Sequence, residues 1–173
     1  MKCDNQRVTS AEIRFDCRHR DDLGVIEVVP RIDGTALTEL IDAFETAAGM
    51  RPAGGVYGGL IPQYYRFGPM EDHFHGRSIR GTTEAKTPLL GCECGEWGCW
   101  PLLARITVTA GLVVWDSFEQ PHQKKRDYTT FGPLQFDRRQ YDEALSLPDV
   151  QALPAANGTC TGPLPSPNRT STT

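Results

Sequence analysis

The chain has 173 residues, 23% of them charged and 39% hydrophobic, which suits one domain with a real hydrophobic core. A formal net charge of -4 excludes a broad cationic field for nucleic acid or an anionic membrane surface. No run approaches the roughly 18–20 apolar residues that cross a bilayer. Met1 to Arg7 has no apolar h-region, so the sequence reads as cytoplasmic, where clustered cysteines favour metal or redox chemistry over disulfides.

From Glu12 to Arg18 the residues Ile13, Phe15 and Cys17 alternate with Arg14, Asp16 and Arg18, the period of a half-buried strand. A polar turn then leads into Val25-Ile26-Glu27-Val28-Val29, a second strand that completes an antiparallel hairpin with Cys17 as a small buried hydrophobe. A helix follows. Thr35 is placed at its N-cap, and Leu37, Leu40, Ile41 and Phe44 recur at helical spacing. Ala47 and Ala48 continue that stripe, and Gly49 stops it.

Gly54 to Pro62 is glycine-rich but lacks the helix start and Lys-Ser/Thr pair of a phosphate cradle, so it reads as a surface loop. Its aromatic character makes Tyr57, Tyr64 and Tyr65 a candidate contact surface for a protein or small-molecule partner. Next, His73 and His75 alternate within Glu71-Asp72-His73-Phe74-His75-Gly76. On an extended chain they project to one side and could share a metal ion with Glu71 or Asp72, although an exposed polar loop is the simpler reading.

The densest chemistry lies in Gly91-Cys92-Glu93-Cys94-Gly95-Glu96-Trp97-Gly98-Cys99-Trp100. Free thiols are reactive unless buried, bonded or holding a metal. Trp97 and Trp100 beside them are either core caps or contact residues, with the core favoured for one of the two; Trp97 joins the candidate contact surface.

Leu102 to Phe118 can be laid out as a hairpin with a tight turn at Ala110-Gly111. Val108 then faces Val113, Ile106 faces Trp115, Thr107 faces Val114 and Arg105 meets Asp116, and a one-residue slip would mix the two faces. Extended outward, this register brings Cys99 opposite His122, with Pro101 and Pro121 interrupting the ladder. Cys92, Cys94, Cys99 and His122 would then form a closed tetrahedral shell, the ligand set of structural zinc, with glycines 91, 95 and 98 supplying tight turns and positive φ. A reactive thiol set and unmetallated cysteines remain open beside it. Water in place of His122 would revive an enzymatic reading.

Lys124-Lys125-Arg126, between Glu119 and Asp127, reads as a solvated loop. Phe131, Leu134 and Phe136 predict a short strand, and Asp137 caps a helix carrying Tyr141, Ala144 and Leu145. Arg138, Arg139, Asp142 and Glu143 form its solvated face. From Pro148 onward small residues and prolines dominate, predicting a disordered tail with Cys160 as an exposed thiol. The expected fold is α+β: an antiparallel sheet of about five or six short strands with two helices packed on it. It forms one domain over residues 1–147, followed by the tail over 148–173.

Leu89 to Leu102, Phe118-Glu119-Gln120-Pro121-His122 and Phe131 to Phe136 resemble the signature of a family of uncharacterised bacterial proteins: C-x-C-G-x-x-G-C-W-P-L followed by F-x-Q-P-H. With Asp33 to Glu45, the resemblance spans residues 10–147 and implies bacterial origin and a single domain, but no reaction. Three functions stand at this point. The first is a zinc-stabilised binding or interaction module. The second is a metalloenzyme built on His73 and His75, with tyrosines 57, 64 and 65 lining its pocket. The third is a thiol redox protein using Cys92, Cys94 and Cys99.

Overall fold

A computed structural model describes residues 10–64, 68–77 and 86–146. The tail expected over 148–173, Cys160 and Tyr65 lie outside the described residues. Strands β1 (Ile13–Arg20) and β2 (Val25–Ile32) form the expected hairpin, running from Ile13 opposite Ile32 to Arg20 opposite Val25. Cys17 packs half-buried against the core.

Thr35 does not cap the helix. It belongs to a short third strand, β3 (Thr35–Ala36), which pairs back onto β2 with Thr35 opposite Ile32. Helix α1 (Leu37–Ala47) therefore starts from Ala36, which has no side-chain acceptor, and only the Glu39 carboxylate reaches back to the Ala36 N–H, at 3.4 Å. Its buried stripe is Leu37, Ile41 and Glu45, four residues apart, so the apolar row ends on a carboxylate, while Ala47 and Ala48 are exposed. Gly49, at φ +69°, closes the helix as expected.

The second sheet has the order β4 (Tyr57–Gly58), β5 (Lys86–Cys92), β6 (Leu102–Val108), β7 (Leu112–Glu119) and β8 (Leu134–Asp137), every pair antiparallel. The β6–β7 pairs from Arg105–Asp116 to Val108–Val113 are those the alternation dictates. Beyond them the ladder shifts: Leu103 faces Glu119, so Ala104 alone stands against Ser117 and Phe118. This is a β-bulge, with Ser117 at φ +53°.

A single-turn helix α2 (Met70–Phe74) precedes β5, and α3 (Arg138–Leu145) follows β8, with Asp137 accepting from the Gln140 N–H at 3.0 Å as its N-cap. The two sheets join through a backbone bridge between Val28 and Leu60 and another between Ala11 and Phe136. The Gln140 amide acts as a further rung, donating to the Ile13 carbonyl at 2.6 Å and accepting from its N–H at 3.1 Å. At the centre, the fully buried Tyr141 hydroxyl donates to the Phe74 carbonyl (2.6 Å) and accepts from Trp115 Nε1 (3.2 Å). Phe15, Phe74, Trp115 and Phe136 surround it. The architecture is α+β, with two antiparallel sheets and three helices among the described residues. None of these helices is long and apolar enough to cross a membrane.

Candidate metal centre

The cysteine loop starts where β5 ends. Cys92 pairs with Tyr57 at the sheet edge, and the Glu93 N–H donates to the Val56 carbonyl at 3.0 Å. The chain then doubles back: the Gly95 N–H donates to the Cys92 carbonyl (2.9 Å), and the Glu96 carbonyl accepts from both Cys92 and Cys99 (3.3 Å each). Arg20, reaching across from β1, donates to the Glu93 carbonyl at 3.0 Å and pins this loop to the first sheet. As a result the sulfurs of Cys92, Cys94 and Cys99 lie within 4.8 Å of one another. No disulfide joins them, and these three thiols could hold a metal ion.

Their surroundings differ. Cys92 is half-buried, and burial pushes its thiol up to about 12. Cys94 is exposed; the backbone N–H of Glu96, together with the neighbouring Cys92 thiol, draws its pKa below the ordinary thiol value. Cys94 is thus the first of these two to supply a thiolate.

Of the three loop glycines only Gly95 has positive φ, at +91°. A Cβ there would also stand 2.7 Å from Leu23 Cδ1. Gly91 is needed for a different reason, since a Cβ would press to 3.1 Å on the Trp97 backbone. Gly95→Ala is expected to cost about 1–3 kcal/mol through strained backbone and the clash, read as a lower urea midpoint. Gly111→Ala, at a turn glycine with nothing within 4 Å of a new Cβ, should change stability by less than about 0.5 kcal/mol.

His122 does not stand among the sulfurs. The bulge at Ser117 and Phe118 shifts the outward register by one residue, so the expected position opposite Cys99 is lost. Its Nε2 instead lies 2.8 Å from the Gly98 carbonyl, on the rim of the loop. His73 and His75 also depart from the extended-chain geometry. His73 lies inside α2, fully buried, with Nε2 at 2.7 Å from the Pro88 carbonyl. His75 caps the same helix and uses both ring nitrogens, Nδ1 on the Glu71 carbonyl (2.7 Å) and Nε2 on Asp142 (2.8 Å). A helical turn separates what a strand would align, and among the described residues the cysteine triad is the only such His, Cys, Asp or Glu cluster close enough to share an ion. Asp142 is accordingly no plain solvated residue. Burial raises its pKa, but hydrogen bonds from His75 and Arg138 outweigh this and hold the carboxyl below its ordinary value.

The expected contact surface is mostly interior. Tyr57 is buried, and its hydroxyl donates to Glu45 at 2.8 Å. Trp97 and Trp100 are half-buried against the core, whereas Tyr64 is 49% exposed. Tyr57 and Arg126, expected on a contact surface and in a solvated loop, instead enter a buried polar cluster with Glu45 and Tyr128: the Tyr128 hydroxyl donates to the same Glu45 oxygen (2.5 Å) as Tyr57, and Arg126 Nη1 lies 2.8 Å from the other. That last contact is a charge contact with poor hydrogen-bond alignment. The Arg126 guanidinium also lies over the Trp100 ring, 5.2 Å from its centroid, next in sequence to Cys99. The one readable sign of this cluster was Glu45 continuing the apolar row of Leu37 and Ile41. No family model, curated protein or solved structure matches the chain.

Proposed function

We propose that the chain is a cytoplasmic binding or interaction module whose cysteine loop is closed by a structural zinc ion, acting on a protein or a small molecule rather than on nucleic acid or membrane. The observation that carries this reading is the convergence of the Cys92, Cys94 and Cys99 sulfurs within 4.8 Å at the end of a sheet strand. Thiolates are soft ligands that favour zinc over hard divalent cations. We infer His122 as the fourth ligand because its ring rests on the rim of the same loop, with Nε2 2.8 Å from the Gly98 carbonyl; ligation would require that contact to break and the ring to move towards the sulfurs. A shell closed by four protein ligands leaves no position for substrate, so the ion stabilises the loop rather than catalyses. His73 and His75, committed to separate partners, give the metalloenzyme reading no comparable support.

The exposure of Cys94 and Cys99 favours a second reading, thiol redox chemistry. Native mass spectrometry of protein purified without chelator distinguishes the two. The expected result is a single zinc ion per chain, absent from the Cys94→Ser/Cys99→Ser variant, with thiols that resist alkylation until a chelator is added. Metal-free protein whose Cys94 and Cys99 alkylate at once would overturn the zinc reading in favour of the redox one.

A further inference from the structure

The basic run Lys124-Lys125-Arg126 lies between two cavities, of about 760 Å³ and about 540 Å³, that share Gln123, Arg126 and Asp127 in their walls. Among the described residues every lysine and arginine has an ion-pair partner except Arg51, Lys124 and Lys125. All three border these cavities: Lys124 the larger, and Arg51 and Lys125 the smaller. In a chain whose net charge is -4, unanswered positive charge is therefore gathered in one place.

The smaller cleft lies at the C-terminal end of α1. The last carbonyls of that helix are already occupied, Phe44 by the Ala48 N–H and Glu45 by the Met50 N–H. The side chain of Arg126 in its wall is only 6% exposed, and its charge is answered by Glu45. Asp127 is the one carboxylate among the lining residues, and it accepts from the Thr129 N–H at 2.9 Å. The cleft consequently presents two unpaired cations against one anion. Thr130 and Gln123 add donors, and Phe44 and Met50 add an apolar wall.

We propose that this cleft binds a small organic phosphate. A phosphomonoester carries about -1.5 to -2 charge at neutral pH and three terminal oxygens, so it can pair with Arg51 and Lys125 at once even with Asp127 in the wall, whereas a carboxylate has a single charge to share between them. A volume near 540 Å³ falls in the usual range for small-molecule sites and far exceeds a bare phosphate group, leaving room for an organic body against Phe44 and Met50. This site is independent of whether the cysteine loop holds zinc.

Phenyl phosphate, benzoate and inorganic phosphate titrated into the full chain by calorimetry test the assignment. Phenyl phosphate is expected to bind saturably and more tightly than either of the others, and to weaken as salt is raised. The exposed pair Arg51→Gln/Lys125→Gln should lower its affinity by about tenfold or more with the melting temperature unchanged, while Lys124→Gln leaves it intact. Absence of saturable binding, equal affinity in the double variant, loss in Lys124→Gln alone, or inorganic phosphate binding as tightly as phenyl phosphate would each overturn it.

Discussion

Glu45→Ala is expected to destabilise the protein by about 3–5 kcal/mol, a large fraction of the roughly 5–15 kcal/mol that keeps a typical domain folded. Glu45 is fully buried on α1 and takes both the Tyr57 and Tyr128 hydroxyls on one oxygen, with Arg126 at 2.8 Å from the other. Removing the carboxylate leaves the Arg126 guanidinium, whose side chain is 6% exposed, without a counter-charge. It also strips the acceptor from two phenols, whose pKa values burial raises above the ordinary tyrosine value, so that both remain protonated donors. The cost comes from orphaned partners and not from any large net strength of the ion pair. The Glu45→Met/Arg126→Met variant should therefore recover much of the loss, because it removes both charges together. Urea unfolding followed by circular dichroism measures both variants. A Glu45→Ala protein within about 1 kcal/mol of the parent would show that the cluster does not hold the fold.

Acidification is expected to weaken the fold well above the pH at which carboxylates titrate. Burial lowers the His73 pKa from 6.5 to about 4, against the weaker opposing effect of the Pro88 carbonyl that accepts from its ring. Between those two values the unfolded chain binds a proton that the folded chain refuses, so stability rises with pH across that window. The contribution is fully present above about pH 6.5 and is lost as pH falls towards 4, a total of about 3 kcal/mol. Asp142, whose pKa is depressed below 3.8, adds stability that disappears only at still lower pH, so the two effects separate on the pH axis. Because acid also releases thiolate-bound metal, the measurement belongs on the Cys94→Ser/Cys99→Ser variant. Urea midpoints that stay level from pH 6.5 to 4.5 would refute the assignment to His73.

Local pattern was a good guide wherever one face of an element met water. The alternation of Ile13, Phe15 and Cys17 placed β1, and opposed valines and the Arg105–Asp116 pair set the β6–β7 register because a slip would turn every apolar side chain outward. The clustering of Cys92, Cys94 and Cys99 is likewise a local matter, since a short loop can bring near neighbours together. His122 was a longer extrapolation. A single extra residue at Ser117 broke it; the apolar pattern carries its mark, because the buried parity of Val113 and Trp115 runs into the exposed Ser117 and resumes one residue late at Phe118. His73 and His75 failed for a different reason: a six-residue polar stretch carries too little periodicity to tell a helical turn from a strand.

The sequence by itself determined the α+β class, most strand faces, the two longer helices and the cysteine loop, because those follow from periodicity, caps and ligand proximity over short spans of chain. Only the tertiary structure decided which polar residues come together. Glu45 meets Tyr57, Tyr128 and Arg126, Gln140 completes the backbone of Ile13, and Arg51 comes to share a cleft with Lys125. These partners lie far apart along the chain, and a polar side chain's partner is set by which elements pack together, a quantity that no local pattern encodes.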